Sequence, residues 1–148
     1  MVDVWAVIGH SHTHKTTTVR ALTGVRQVAS HWNVAYVPGG AAPTYVQPSG
    51  LQEAGITPAA FIDSVTAAGV NKLIVALRYD AVSAACPDAA TYLADFTAAG
   101  WHIAGNAVLD HPIRGPGAAL PGGIIVPNAP ALVCNQIAAQ LRATWHIA

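Results

Sequence analysis

The stretch "IGHSHTHKTTTVRALTG", residues 8–24, decides how the chain is read. It is preceded by "VDVWAVI", residues 2–8, a short apolar run rich in β-branched and aromatic residues that stops at Gly9. Such a run reads as a strand buried on both faces. Lys15 to Thr23 reads as a helix closed by Gly24. Between them stand His10, Ser11, His12, Thr13 and His14. The stretch is therefore a strand, a loop and a helix start, and the loop carries the chemistry.

A loop that cradles phosphate needs a sharp bend after a strand, backbone N–H groups facing a helix N-terminus, and a lysine followed by a hydroxyl residue. The pattern is G-x-x-x-x-G-K-[ST]. Gly9, Lys15 and Thr16 stand at that spacing, and His14 replaces the second glycine. Translational GTPases carry a stretch much like I-G-H-V-D-H-G-K-T-T-L-x-x-A-L-T-G. This chain resembles it at Ile8, Gly9, His10, Lys15, Thr16, Thr17, Ala21, Leu22, Thr23 and Gly24, and departs from it at Ser11, His12, Thr13 and His14. The resemblance covers residues 8–24 of 148. The guanine-reading N-K-x-D pattern is missing, because Asn71-Lys72 is followed by Leu73 and Ile74. A DxPG-like echo at Asp110-His111-Pro112 has Ile113 where the glycine belongs.

The resemblance implies a P-loop NTPase-like domain with a degenerate loop, and Mg2+ with ATP or GTP as its ligand. Gly9 to Thr17 would hold phosphate, Lys15 would stabilise transferring phosphoryl charge, and Thr16 would hold the metal. A carboxylate at a strand end would support that metal. Asp110, directly after "NAVL", and Asp80, three residues after Leu77, are the candidates. Arg114 is placed to reach phosphate, and Asn128 stands where several P-loop families contact the base. The simpler role for Asn128 is a helix cap. No residue stands out as a base for an attacking water, so hydrolysis stays open.

A second reading takes His10, His12 and His14 as H-x-H-x-H, with alternate imidazoles sharing one face and converging on a metal. Metal hydrolases of the amidohydrolase and polymerase-and-histidinol-phosphatase types carry H-x-H after their first strand. "GITPAAFIDSVTAAGVNKLIVAL", residues 55–77, loosely resembles the helix and strand that follow in the latter. Those folds are barrels and normally need more than 148 residues. A third reading is a structural or assembly protein that keeps the fold without NTPase chemistry.

The remaining chain alternates between the two periodicities. "WNVAYVP" at 32–38 reads as a strand, and "PGGAAPTYVQPSG" at 38–50 as a Pro/Gly-rich loop. A helix opens at Thr57-Pro58 and closes at Gly69; another runs from Pro87-Asp88 to Gly100. Strands are expected at 70–77, 101–109 and 122–127, and a C-terminal helix over "APALVCNQIAAQLRATWHIA", residues 129–148, carries Val133, Ile137, Leu141 and Trp145 on one face. "TAAG" recurs at 66–69 and 97–100, marking two successive helix-plus-strand units. The sum is one α/β domain over residues 1–148, with a mostly parallel sheet, helices on both faces and a P-loop-like three-layer topology.

Composition narrows the partners. Charged residues make up 9% of the chain, against roughly 25% in ordinary domains. Seven basic residues balance seven acidic ones, so no global field draws nucleic acid or an anionic membrane. Low charge and many alanines suit a surface covered in a homo-oligomer or larger assembly. Cys86 and Cys134 lack metal-ligand spacing and read as small hydrophobes in a reducing compartment. No secretory segment opens the chain, and "VWAVIG" is too short to span a bilayer, so a cytoplasmic protein is expected. His31, His102 and His146 read as surface or satisfied core residues, and the four tryptophans as core or interface.

Overall fold

β1 (Asp3–Gly9) is the strand the rest is built around. In the computed structural model, which describes residues 1–10, 14–110, 120, 122–127, 129 and 132–148, it pairs in parallel with β4 (Lys72–Arg78) on one side and β5 (His102–Leu109) on the other. Six of its seven residues are buried, because both of its edges and both of its faces are covered. That is why it and β4 read as continuous apolar runs rather than alternating ones. β6 (Ile124–Val126) extends the sheet beyond β5 in parallel. β3 (Gly40–Gln47) pairs in parallel with β4, and β2 (Ala29–Tyr36) closes the other edge antiparallel to β3. The order is β2-β3-β4-β1-β5-β6.

Two helices cover each face. α1 (Lys15–Thr23) and α4 (Cys134–Trp145) pack one cluster, in which Val19, Leu22, Ile137, Leu141 and Trp145 meet the inward side chains of the sheet. α2 (Pro58–Ala68) and α3 (Ala89–Ala98) pack the other, around Phe61, Val65, Tyr92 and Phe96. Thr57 caps α2 by accepting from the Ala60 N–H, and Asp88 caps α3 by accepting from that of Thr91. In the second cluster Phe61 meets Tyr45 edge-on and Phe96 stacks obliquely on Trp101. The Tyr92 hydroxyl donates to the Ile56 carbonyl at 2.6 Å, and burial raises its pKa.

Two expectations are corrected here. Residues 38–50 are not a loop: they contain β3, so β2 and β3 form a hairpin and the sheet is mixed. Pro43 sits inside this strand because β3 pairs with β4 only over Tyr45–Gln47. At Pro43 the side facing away from β2 carries no ladder, and the missing N–H costs nothing there. The C-terminal helix starts at Cys134, with Val133 as its N-cap, and not at 129; Asn128 lies outside the described residues. Three tryptophans are core residues, but Trp32 is 43% exposed on β2 and donates to the Thr23 carbonyl at 2.9 Å. Cys86 is buried and Cys134 half-buried, both as free thiols. Among the described residues no helix is long and apolar enough to cross a membrane.

Gly105 is where the α4 face is tightest. The register between β1 and β5 shifts between Val4 and Trp5, which pair with Ile103 and Gly105. A Cβ on Gly105 would lie 2.6 Å from Nε1 of Trp145. Gly105→Ala should therefore force the indole out of place and destabilise the fold by about 1–3 kcal/mol. Urea unfolding of the single variants and of Gly105→Ala/Trp145→Phe checks this: the double variant should lose less than the sum of its parts.

Candidate functional site

Parallel pairing brings strand ends to one edge. Gly9 is level with Arg78 on one side and Leu109 on the other, and Leu109 with Val126. The Tyr79 N–H donates to the Gly9 carbonyl at 2.9 Å, and the Asp110 N–H to that of Val126 at 2.9 Å, so the backbone stays tied just past the strands. Ligands of open α/β sheets sit at this edge. His10, Lys15, Asp80 and Asp110 all belong to it, as the sequence implied.

β1 ends at Gly9 and α1 starts at Lys15. Ser11, His12 and Thr13 lie outside the described residues, as do His111 and Arg114. His14 is exposed, stands at the N-cap of α1, and adopts the left-handed conformation, φ 66° and ψ 22°. Glycine takes this conformation freely; a histidine does so at a cost of about 1 kcal/mol. The backbone at His14 thus has a shape that favours glycine. His14 makes no side-chain cap, and the first turn of α1 holds no acidic residue. The Thr17 hydroxyl donates back to the His14 carbonyl at 3.0 Å, and Thr16 is half-buried.

Lys15 is the unusual residue. Its side chain is only 5% exposed, and its ammonium lies 2.5 Å from Glu53 Oε1, on a side chain 40% exposed. A buried charge requires a partner of this kind. Glu53 belongs to the turn after β3. Its neighbour Gln52 fixes that turn: the Gln52 amide donates to the carbonyls of Arg78 at 2.7 Å and Pro87 at 3.1 Å, and its Oε1 accepts from the Arg78 N–H at 2.9 Å. Gln52 is 1% exposed, so β3, β4 and the start of α3 are bound together by one buried amide.

Asp80 is held differently. Arg78 grips it with two bonds, Nε to Oδ1 at 2.8 Å and a terminal nitrogen to Oδ2 at 3.1 Å, and His10 Nδ1 stands 3.3 Å from Oδ1. The Arg78 hydrogen bonds push the Asp80 pKa down to about 2, burial opposes them, and the charges of Arg78 and His10 assist. A carboxylate so engaged is less available to a metal. The His10 ring also packs against Tyr79, with centroids 5.0 Å apart. His10 is thus turned onto the two residues that follow β4, and among the described residues no three His, Cys, Asp or Glu side chains are grouped to hold a metal. His102, exposed, is 3.1 Å from Asp3 at the opposite edge.

Glu53, Gln52 and Gly50 are site residues that the sequence reading missed. A signal existed: Glu53 is the only glutamate in the chain. No family of known proteins, no curated protein and no solved structure matches the chain.

Because the folded-state pKa of Asp80 is depressed, the stability it contributes is present above about pH 4 and is lost as the pH falls through about 2. Its side chain is 46% exposed, so solvent screening limits the contribution to under about 1 kcal/mol. Asp80→Asn should be slightly less stable than the parent at pH 6, and the gap should close towards pH 2. Urea titrations at several pH values measure this. Gln52→Ala, by contrast, should cost about 2–4 kcal/mol at either pH, since it strips partners from buried backbone groups.

Proposed function

We propose that the chain binds the phosphate groups of a nucleotide, or a smaller phosphate, at the start of α1. Lys15 carries this reading: a nearly fully buried ammonium in the first turn of the helix that follows the central parallel strand. Helix N-termini present unpaired N–H groups and partial positive charge, which suits an anion. The left-handed His14 supports the same reading, since a costly backbone conformation is kept just before the lysine. In this proposal the domain is a P-loop NTPase-like fold with an altered loop.

Mg2+ would accompany ATP or GTP. Thr16 supplies a hydroxyl, and Asp110 or Asp80 a carboxylate, donors that suit a hard cation; Arg78 already holds Asp80. With so few protein ligands, phosphate oxygens and water would complete the shell, as is usual for this ion. Hydrolysis is not part of the proposal.

A second reading, assembly without chemistry, is favoured by the charge distribution. α1 and α4 carry Arg20 and Arg142 and no acidic residue, and Arg26 follows α1. α2 and α3 carry Asp63 and Asp95 and no basic residue. One face of a molecule complements the other face of the next, a head-to-tail arrangement. Sedimentation at low and high salt tests it: association that dissolves with salt and is lost in Arg20→Glu/Arg26→Glu supports this reading.

For phosphate binding the decisive substitution is His14→Gly. It relieves the backbone cost and removes an imidazole from the loop, so Mg2+-nucleotide should bind ten- to a hundredfold more tightly, about 1.4–2.8 kcal/mol. Stability should not fall, against the usual penalty for glycine. Lys15→Ala in the same background should cancel the gain. Calorimetric titration with ATP and GTP measures all three, and no heat from any form would leave the assembly reading in first place.

A further inference from the structure

We propose that Glu53 is a built-in competitor for the anion seat of Lys15, so that the site admits only ligands bringing more than one negative charge, such as pyrophosphate or the diphosphate part of a nucleotide. The inference rests on the phosphate-binding reading of Lys15 and adds to it a gate and a ligand class.

The buried ammonium must be paired in every state of the protein. In the structure Glu53 fulfils that need, 2.5 Å from Nζ. The two side chains are unequal: that of Lys15 is 5% exposed, and that of Glu53 40%. Lysine is therefore the fixed member, and glutamate reaches in from solvent. Only the Glu53 side chain has to swing for an anion to replace it. The backbone beneath it is anchored by the buried Gln52 amide, and by the Leu51 N–H bonded to the Ala76 carbonyl at 3.3 Å. Gly50 shapes the slot. A Cβ there would lie 2.9 Å from Glu53 Oε1 and 3.1 Å from Lys15 Cε, so the pair fits only over a bare glycine.

Competition between anions for one ammonium is decided by charge and by additional donors. A chloride or acetate ion offers Lys15 no more charge than Glu53 does, and must be gathered from solution. A diphosphate brings two or more charges and suits the partial positive charge at the start of α1. When the ligand departs, Glu53 returns and the ammonium is never stranded.

Inorganic pyrophosphate is the probe, titrated by calorimetry into the wild type, Glu53→Gln and Lys15→Ala/Glu53→Gln at matched ionic strength, with acetate as the control. Glu53→Gln should bind pyrophosphate at least tenfold more tightly than the wild type, and should acquire measurable acetate binding. The double variant should bind neither. Pyrophosphate should also raise the melting temperature of Glu53→Gln by more than that of the wild type, since it replaces the missing partner. Equal or weaker pyrophosphate binding by Glu53→Gln overturns the proposal. If the wild type binds nucleotide and Glu53→Gln gains nothing, the gate fails and the phosphate-binding reading survives. If Glu53→Gln gains pyrophosphate binding and no form binds nucleotide, the gate stands and the nucleotide reading fails. Should Glu53→Gln not fold, Glu53→Asp keeps a charge nearby but withdraws it by one methylene; it should show an intermediate gain, and none would overturn the proposal.

Discussion

A strand with neighbours along both edges and helices on both faces has no place for a polar side chain. β1 obeys this from Val4 to Ile8, and every charge associated with it is expelled to its ends. Asp3 at the amino end meets Lys72 and His102; at the carboxyl end stand His10 and Lys15. β4 follows the same constraint and β5 departs from it only by burying Asn106, so the chain delivers Arg78 and Asp80 after β4, and Asp110 after β5, to the same edge. The site follows from burial of the centre: in a chain with so few charges, the central strands concentrate several of them along one line.

This constraint also explains what was legible beforehand. Continuous apolar runs, capped helix starts and glycine stops mark β1, β4, α1, α2 and α3 to within a residue or two. β3 was not legible, because its sequence has the composition of a loop and its strand character comes from pairing with β2. Pro43 is tolerated only because β4 ends its pairing short of it, a fact of register rather than of local sequence. The start of α4 was also misplaced. Helical spacing shows which residues share a face but not which turn begins the helix, and Val133 carries no side-chain oxygen to announce a cap.

The site was legible by half. Lys15 and Thr16 stand out because the chemistry of phosphate loops depends on adjacent residues, and adjacency survives in a sequence. Their counterparts are long-range. Glu53 lies beyond β2 and β3, and nothing near it says that it will meet Lys15. Gln52, which positions it, works through carbonyls of Arg78 and Pro87 that carry no side-chain signature at all. Asp80 could be located at a strand end but not understood, since its grip by Arg78 depends on how two residues of one strand terminus turn.

His14 and Glu53 belong to one physical argument. Proteins break local rules where something other than stability is served, and the cost is met by surrounding structure. At His14 the broken rule is conformational: a side chain occupies a backbone shape that favours glycine. At Lys15 it is electrostatic: an ammonium is withdrawn from water. Each alone is unremarkable, and a stable fold could have avoided both with a glycine and an alanine. They stand on consecutive residues, at the start of a helix and the end of the central strand. Glu53 resolves the electrostatic cost and leaves the conformational one in place. A buried ammonium held by one half-exposed carboxylate, next to a costly backbone conformation, is the arrangement that the proposed anion site requires.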